Sequence, residues 1–384
     1  MPQRVNQQNR GESPPALHRF CILSSIMILV WICSAGAAAT SMVLEYQGRY
    51  NHQNAPGIPD HLMSVLSIGN NRALIVSNVG LALVNIADLP VRGTSNCIFR
   101  LEEMNARNAI LGPNGYVYVN THYGRGDVMF GKIGFTVVKI QGDKLVKIKE
   151  VEEPDIFYEK MDISGDYLYV AAHRYGLRIY SIANPEQPVL IAKLQNGFVD
   201  CFDVSVEGDR AYVADGPAGL KIVDISDKKN PVMLSGETME SARGTAEDIT
   251  VRNSIVYMAI GGEGLAVYEA GKLNSRTIYK TGGCAEELGW IGEYLGVTTF
   301  GELQVYQVTA GTGLTLVASE QMHRRMQRNN ASLRLAEGLA GAENNTVLCA
   351  TWNYVDVYQL KNRTAWSWLL VLLVAVKQPP FIPS

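Results

Sequence analysis

Apolar and polar residues alternate in short stretches along most of the chain between residues 42 and 362. In residues 202–235 an apolar residue recurs at nearly every second position through FDVSVEG, DRAYVAD, LKIVDIS and VMLSGE, with turns of Gly, Asp, Asn and Pro between them. A period of two bounded by turn residues predicts β-strands. Because residues 161–194 and 248–280 follow the same scheme, the sequence predicts a repeated unit of four strands.

The repeat has a marker, a Gly followed by an alternating strand. It occurs as GLALVNIA at 80–87, GFTVVKIQ at 134–141, GLRIYSIA at 176–183, GLKIVDIS at 219–226, GLAVYEAG at 264–271 and GELQVYQV at 301–308, and NYVDVYQL at 353–360 is a seventh copy without the Gly. The mean spacing of about 45 residues fits one four-stranded blade of a β-propeller. We therefore predict an all-β, seven-bladed β-propeller, with six or eight blades as the alternatives.

A propeller must close, because an open ring leaves an exposed strand edge. Residues 42–48, MVLEYQG, have the pattern of a strand but no partner in the first unit. We expect this strand to complete the last blade beside YVDVYQL.

The ends of the chain differ from its middle. Residues 20–39 carry no charge, follow a basic and polar segment at 1–19, and end in Ala37–Ala39. These features are typical of a signal peptide or a signal-anchor helix, and both alternatives stay open. We expect an exported protein that is secreted, periplasmic or anchored at the cell surface, with the propeller at 42–362 and an apolar tail of open role at 363–384.

Composition narrows the class of function. There are 34 basic and 37 acidic residues, a net charge of −3, which argues against a nucleic-acid-binding protein.

Outside the N-terminal apolar segment the cysteines are Cys97, Cys201, Cys284 and Cys349. Their wide spacing argues against a zinc site. One disulfide and buried free thiols are both open for them.

Three segments resemble a known family of repeats. YVADGPAGLKIVDISDKKNPVMLSG at 212–236 closely resembles the LVIVD repeat, YVAAHRYGLRIYSIANPEQPVLIAKL at 169–194 is a second copy, and ALIVSNVGLALVNIADLP at 73–90 is a more divergent third. Counted generously, the resemblance covers about residues 65–360. It implies an exported or surface-attached β-propeller that serves as a binding scaffold rather than as an enzyme.

Acidic residues recur where the inner strand of each unit begins. They are Asp162, Asp203, Asp248, Glu287 and Glu337, with Asn108 at the matching place in an earlier unit. Such a ring around the channel suits a divalent cation, whose preferred ligands are carboxylate oxygens. In the alternative interpretation these side chains accept hydrogen bonds from nearby backbone N–H groups. No other cofactor is predicted.

The loops between the second and third strands emerge at the channel mouth, on the face where propellers usually bind ligands. The candidate partner-binding residues there are His122, Tyr123, Arg125, Asp127, His173, Tyr175, Asp215, Trp352 and Tyr354. We expect a non-enzymatic module that binds a protein, peptide or glycan through this face.

Two other functions stay open. The first is a hydrolase or lyase in the channel mouth, with Asp162, Asp203 and Asp248 as acid–base or metal-binding groups. The chain has no GxSxG or HExxH motif to support a specific chemistry. The second is a scaffold for a membrane complex, which requires that residues 20–39 are retained as an anchor.

Overall fold

The computed structural model describes residues 42–51, 61–88, 97–102, 104–121, 134–236, 244–322, 336–351 and 354–363. In these residues the chain forms 28 β-strands in seven antiparallel sheets of four, with three short 3-10 helices at Ile86–Asp88, Pro113–Gly115 and Glu343–Asn345. The fold is a seven-bladed β-propeller, as the repeat predicts.

Each sheet is one blade, and its strands follow one another along the chain except in the last. Blade 1 contains β2 (Leu62–Gly69), β3 (Arg72–Ser77), β4 (Gly80–Asn85) and β5 (Cys97–Glu102). Blade 2 contains β6 (Ala106–Leu111), β7 (Tyr116–Thr121), β8 (Gly134–Gln141) and β9 (Lys144–Glu152). Blade 3 contains β10 (Met161–Ser164), β11 (Tyr167–Ala171), β12 (Leu177–Ser181) and β13 (Val189–Leu194).

The remaining blades continue the series. Blade 4 contains β14 (Asp203–Glu207), β15 (Arg210–Ala214), β16 (Leu220–Asp224) and β17 (Val232–Gly236). Blade 5 contains β18 (Asp248–Arg252), β19 (Ile255–Ala259), β20 (Leu265–Glu269) and β21 (Lys272–Tyr279). Blade 6 contains β22 (Ala285–Ile291), β23 (Tyr294–Thr299), β24 (Glu302–Val308) and β25 (Leu314–Gln321). Blade 7 contains β26 (Ala336–Ala342), β27 (Thr346–Thr351), β28 (Tyr354–Asn362) and β1 (Met42–Asn51).

The degree of burial of each strand explains the pattern of apolar residues in its sequence. In blade 4 the second strand is buried from Ala211 to Ala214, because both faces of its sheet pack against neighbouring blades. The outer strand β17 alternates between exposed and half-buried positions, with Val232 and Leu234 turned to solvent. Near-continuous apolar runs therefore mark the middle strands, and alternating runs mark the rim.

Apolar cores lie between neighbouring blades rather than within one centre. The core between blades 3 and 4, for example, joins Tyr169, Ile179 and Cys201 to Val204 and Val213. The first strands of adjacent blades contact one another all the way round, from β2 through β26 and back to β2. They line a central channel, and they place the start of every blade at its mouth.

The ring closes through strands from opposite ends of the propeller. β1 runs antiparallel to β28, from the pair Met42–Asn362 to the pair Asn51–Tyr354, with a bulge between Tyr46 and Gly48. The expected partnership of residues 42–48 with the last blade is confirmed.

The ends of the chain lie outside the described residues. The chain divides into a unit of Met1–Ser41 and a unit of Met42–Ser384. Within the described part, no helix combines the length and apolar character that a membrane crossing needs. The segments 1–19 and 20–39 and nearly all of the tail at 363–384 are not described, so the expectations for them stay predictions.

The four cysteines of the propeller are free thiols in this structure. Cys201 and Cys349 are buried, and burial raises the pKa of both thiols. Of the two alternatives that the sequence left open, the structure shows free thiols.

Candidate binding face and central channel

Two kinds of loop meet on one face of the propeller. A loop between the second and third strands of one blade pairs with the loop that leads into the next blade, through single antiparallel bridges. These bridges are His173 to Cys201, Gly216 to Ala246 and Gly261 to Ala285. We call this surface the loop face, and its described loops span 61, 78–79, 104–105, 153–160, 172–176, 195–202, 215–219, 244–247, 260–264, 280–284 and 300–301.

The first residue of each bridge has the same backbone conformation. The φ angles are 47° at His173, 51° at Gly216 and 57° at Gly261. This left-handed region favours glycine, because a Cβ atom crowds the backbone there. Two blades meet the requirement with glycine, whereas blade 3 carries a histidine at this place.

The His173 ring lies between two carboxylates from different loops. Its Nδ1 is 2.9 Å from Asp200 Oδ1, and its Nε2 is 3.2 Å from Glu159 Oε2. Glu159 also pairs with Arg107 at 3.7 Å, and the ring of Phe202 meets the imidazole edge-to-face at 5.5 Å. The hydrogen bond with Glu159, helped by the charge of Asp200, raises the pKa of His173 although partial burial opposes the shift.

Asp215 lies beneath the loop face and not on it. Its side chain is fully buried, and its carboxylate accepts hydrogen bonds from the backbone N–H of Val199 at 2.9 Å and of Asp200 at 2.7 Å. Burial raises the pKa of Asp215, and these hydrogen bonds oppose the shift. The residue that the sequence placed among the partner contacts therefore shapes the 199–201 loop from below.

Several apolar side chains are exposed on the loop face. Val199 is 55% exposed, Phe300 47% and Phe157 41%. Tyr175 is half-buried, with the guanidinium of Arg174 5.0 Å above its ring and an Arg174 N–H donated to its hydroxyl at 3.0 Å. The sequence identified Tyr175 but missed Val199, Phe300 and Phe157.

The other predicted contacts are only partly described. Tyr354 begins β28, and the guanidinium of Arg49 lies 4.5 Å above its ring. His122, Tyr123, Arg125, Asp127 and Trp352 lie outside the described residues, and for Glu337 only the backbone is described, in β26.

Acidic residues of the channel bond to the backbone of the neighbouring blade. Asp162 Oδ2 accepts the N–H of Val206 at 2.7 Å, and Asp203 Oδ2 accepts that of Ile249 at 3.0 Å. Asp248 Oδ2 accepts the N–H of Leu288 at 2.8 Å. A contact from a carboxylate to a backbone N–H therefore joins the inner strands at three successive interfaces, and such contacts are what the alternative interpretation of the ring expects.

A lysine that the sequence analysis missed lies among these carboxylates. Lys160 Nζ is 3.0 Å from Asp248 Oδ2 and 2.8 Å from Glu287 Oε1, so its ammonium group links blade 3 to blades 5 and 6. Burial disfavours the charged form of Lys160, but Asp248 and Glu287 hold its pKa well above the ordinary value. An internal cation thus balances part of the acidic ring.

The acidic residues of the ring have pKa values that are shifted in different directions. Burial and the neighbouring Asp248 raise the pKa of Asp203 well above its ordinary value. Burial also opposes the charge on Asp248, yet the Lys160 ammonium and hydrogen bonds from Asp203 and Leu288 lower the pKa of Asp248. Asp162 has its pKa raised to about 6 by burial. These opposite shifts favour a proton on Asp203 and a charge on Asp248.

The channel holds a polar cavity of about 250 Å³, lined by the first strands of all seven blades. Ser64, Asn108 and Ser205 line it together with the acidic residues and Lys160. Among the described side chains, no group of three or more His, Cys, Asp or Glu is arranged to hold a metal ion. The ring as a whole, including Glu337, stays a prediction as a cation site.

Comparison with known proteins supports the fold. The chain is similar to Raptor from Chaetomium thermophilum, with a TM-score of 0.63, 9% identity and coverage of 83% of this chain; the match spans only 29% of Raptor. The WD40 repeats of RRP9 match with a TM-score of 0.62, 7% identity and coverage of 83% of this chain and 100% of theirs. The WD40 propeller of Doa1 matches with a TM-score of 0.59, 8% identity and coverage of 82% and 96%. At these identities the likeness shows the fold alone.

The sequence comparisons identify the repeat. No curated protein matches the chain. The LVIVD repeat matches residues 159–195 and 200–236, which comprise blade 3 and blade 4 with the loops that lead into them. The protein is thus a seven-bladed β-propeller that contains LVIVD repeats.

Proposed function

We propose that this propeller is a non-enzymatic recognition module that binds a protein, peptide or glycan through its loop face. The observation that carries the proposal is the exposure of Val199, Phe300 and Phe157 on that face, which also carries the hydrogen-bonded pair Arg174–Tyr175. Apolar and aromatic side chains at a surface, flanked by charges, are typical of residues that anchor a partner.

The channel supports the same conclusion. Asp162, Asp203 and Asp248 each use a carboxylate oxygen to hold the backbone of the next blade, and Asp248 also binds Lys160. A catalytic acid or base must instead reach a substrate with its own proton or lone pair. The geometry therefore favours a structural task for these groups.

One observation favours the hydrolase or lyase alternative. Asp203 and Asp248 are neighbours whose pKa values are shifted in opposite directions, which is the pattern of an acid and base pair. An enzyme of this kind would lose its activity in both Asp203→Asn and Asp248→Asn, whereas binding through the loop face would survive in any variant that folds.

Two valines provide a matched test of the binding surface. Val199 on the loop face is 55% exposed, and Val232 on the outer strand of blade 4 is 56% exposed. We would place a photo-crosslinking residue at each position in the full chain and incubate it with cells or extracts of its source. Crosslinked partners are expected from position 199 and not from position 232.

Glycans need a second probe, because a photo-crosslinker reports them poorly. The full chain and its Val199→Asp and Val232→Asp variants would be applied to a glycan array. Binding lost only in Val199→Asp supports the proposal. Binding in neither experiment, or equal binding in both variants, contradicts it.

We further propose that the protein is exported and reaches the membrane through residues 20–39 when that segment is retained. Its uncharged, basic-flanked sequence supports this proposal. Intact mass of the protein from its source tests it: a start near Thr40 indicates cleavage, a full-length chain in the membrane fraction indicates an anchor, and a full-length soluble chain contradicts export.

A further inference from the structure

We propose that His173 is a pH-governed latch: when protonated it holds the 198–202 loop against blade 3, and when neutral it releases that loop. Any effect of this release on partner binding rests on the proposed function, because this loop carries Val199. The latch itself does not depend on it.

The first support is the position of His173 in the repeat. The bridge to the next blade needs a left-handed residue, which blades 4 and 5 supply as Gly216 and Gly261. A non-glycine residue there is strained, and such strain persists only where other contacts maintain it. At His173 the maintaining contacts come from the imidazole, since Asp200 and Glu159 bind its two nitrogens.

The second support is the chemistry of these two contacts. An imidazolium donates from both nitrogens, so it satisfies Asp200 and Glu159 together. A neutral imidazole donates from one nitrogen and presents a lone pair at the other, where it faces a carboxylate oxygen. Loss of the proton therefore removes one of the two hydrogen bonds and replaces it with a repulsive contact.

Other charged and aromatic groups surround the His173 site. Arg107 of β6 balances Glu159 at 3.7 Å, and Glu247, in front of β18, lies within electrostatic range of Glu159 and Asp200. Arg174, next to His173, donates to the Tyr175 hydroxyl. Phe202 covers one edge of the imidazole without adding charge.

The direction of the effect follows from the His173 environment. Its pKa is raised above the ordinary value of 6.5, mainly by the hydrogen bond with Glu159. The latch is therefore fully engaged below pH 6.5 and is lost as pH rises through the raised pKa. Asp215 still holds the N–H groups of Val199 and Asp200, so the release is confined to the Asp200 side chain and the Cys201 bridge, and the blade stays folded.

The repeat supplies internal controls for a test. The amides of Cys201, Ala246 and Ala285 donate to His173, Gly216 and Gly261 in equivalent bridges, at 3.1, 2.9 and 2.9 Å. We would measure hydrogen exchange of these amides in the full chain between pH 5.5 and 8.5. Relative to Ala246 and Ala285, protection of Cys201 should fall about three- to tenfold as pH rises, the effect of one weakened charge-assisted hydrogen bond.

Two variants make the test decisive. His173→Gly removes the titrating group and restores the residue that the backbone prefers, so it should fold and lose the pH dependence. Asp200→Asn should lower the pKa of His173, followed by NMR of ¹³C-labelled imidazoles. A constant ratio among the three amides, or the same pH dependence in His173→Gly, would overturn the latch.

The exchange experiment needs no partner, so its failure is separate from failure of the proposed function. If the latch is present but neither crosslinking at position 199 nor the glycan array finds binding, the proposed function fails alone. If crosslinking succeeds equally at pH 5.5 and 8.5 while exchange shows no release, the latch fails alone.

Discussion

Arg49 and Asp356 join the two ends of the propeller through a bidentate salt bridge. Arg49 donates from Nε to Asp356 Oδ1 at 2.6 Å and from Nη2 to Oδ2 at 2.8 Å, across the pair β1–β28. Asp356 is buried, and Arg49 is mostly covered and lies over the ring of Tyr354. The strand that closes the ring is therefore fixed by a side-chain pair as well as by its backbone ladder.

Breaking this pair should weaken closure. Arg49→Met leaves the Asp356 carboxylate buried without its partner, which we expect to lower the free energy of unfolding by about 2–4 kcal/mol. Chemical denaturation of the full chain measures the change. The matched control is Lys361→Met, which removes the exposed partner of Glu45 in the same strand pair. Equal effects of the two substitutions would show that Arg49 adds nothing specific.

Lys160 should stabilise the folded protein through its contacts with the carboxylates of the channel. Lys160→Met removes the ammonium group that Asp248 and Glu287 share, so two carboxylates remain close together without a cation. We expect a loss of about 3 kcal/mol in unfolding free energy at pH 7, and a smaller loss at pH 4 where the carboxyls take up protons. Lys280→Met, which breaks an exposed pair with Glu263, serves as the control. A loss independent of pH would contradict this electrostatic explanation.

Divalent cations should not stabilise the natural chain. Carboxylate oxygens of Asp162, Asp203 and Asp248 already accept hydrogen bonds from backbone N–H groups, and Asp248 also binds Lys160. Ca²⁺ or Mg²⁺ would have to displace these partners. Thermal unfolding with either ion or with EDTA should therefore give the same midpoint. A cation at a hundredfold excess over its dissociation constant adds about 2.7 kcal/mol to stability. A rise of that size, abolished in Glu337→Gln, would contradict this expectation and identify the ring as a metal site.

The blades and their closure could be predicted from the sequence, because burial on both faces of a sheet requires apolar runs, and these runs are visible in the sequence at a regular spacing. The Lys160 contacts could not, since they join residues 88 and 127 positions apart across the channel. The burial of Asp215 had a local indication. The equivalent residues in blades 3 and 5, Ala172 and Ile260, are apolar and fully buried.

Substitution by asparagine should affect the free energy of unfolding less at Asp203 than at Asp248. The pKa of Asp203 is raised and that of Asp248 is lowered, so we expect the proton on Asp203, and Asp203→Asn then replaces one neutral group with another of similar shape. We expect that substitution to change the unfolding free energy at pH 7 by less than about 1 kcal/mol. Asp248→Asn removes the charge that holds Lys160 and should cost about 3 kcal/mol. Equal losses would mean that the proton is not localised on Asp203.

Asp162 should make the protein less stable as pH rises through the weakly acidic range. Its pKa is raised from 3.8 to about 6, because burial disfavours the carboxylate. Between these values the unfolded chain has lost a proton that the folded chain keeps, so unfolding free energy falls with pH, by on the order of 3 kcal/mol in total. The contribution is fully present below pH 3.8 and is lost as pH passes through 6.

Asp162→Asn cannot ionise and should remove this part of the pH dependence. Denaturation curves of both proteins at pH 4, 5, 6 and 7 would test the prediction, with the natural chain losing stability relative to the variant at each step. Because an amide oxygen still accepts the N–H of Val206, the variant keeps one of the contacts between β10 and β14. Parallel curves for the two proteins would mean that Asp162 titrates as an ordinary exposed carboxyl, and that its hydrogen bonds to the backbone compensate fully for burial.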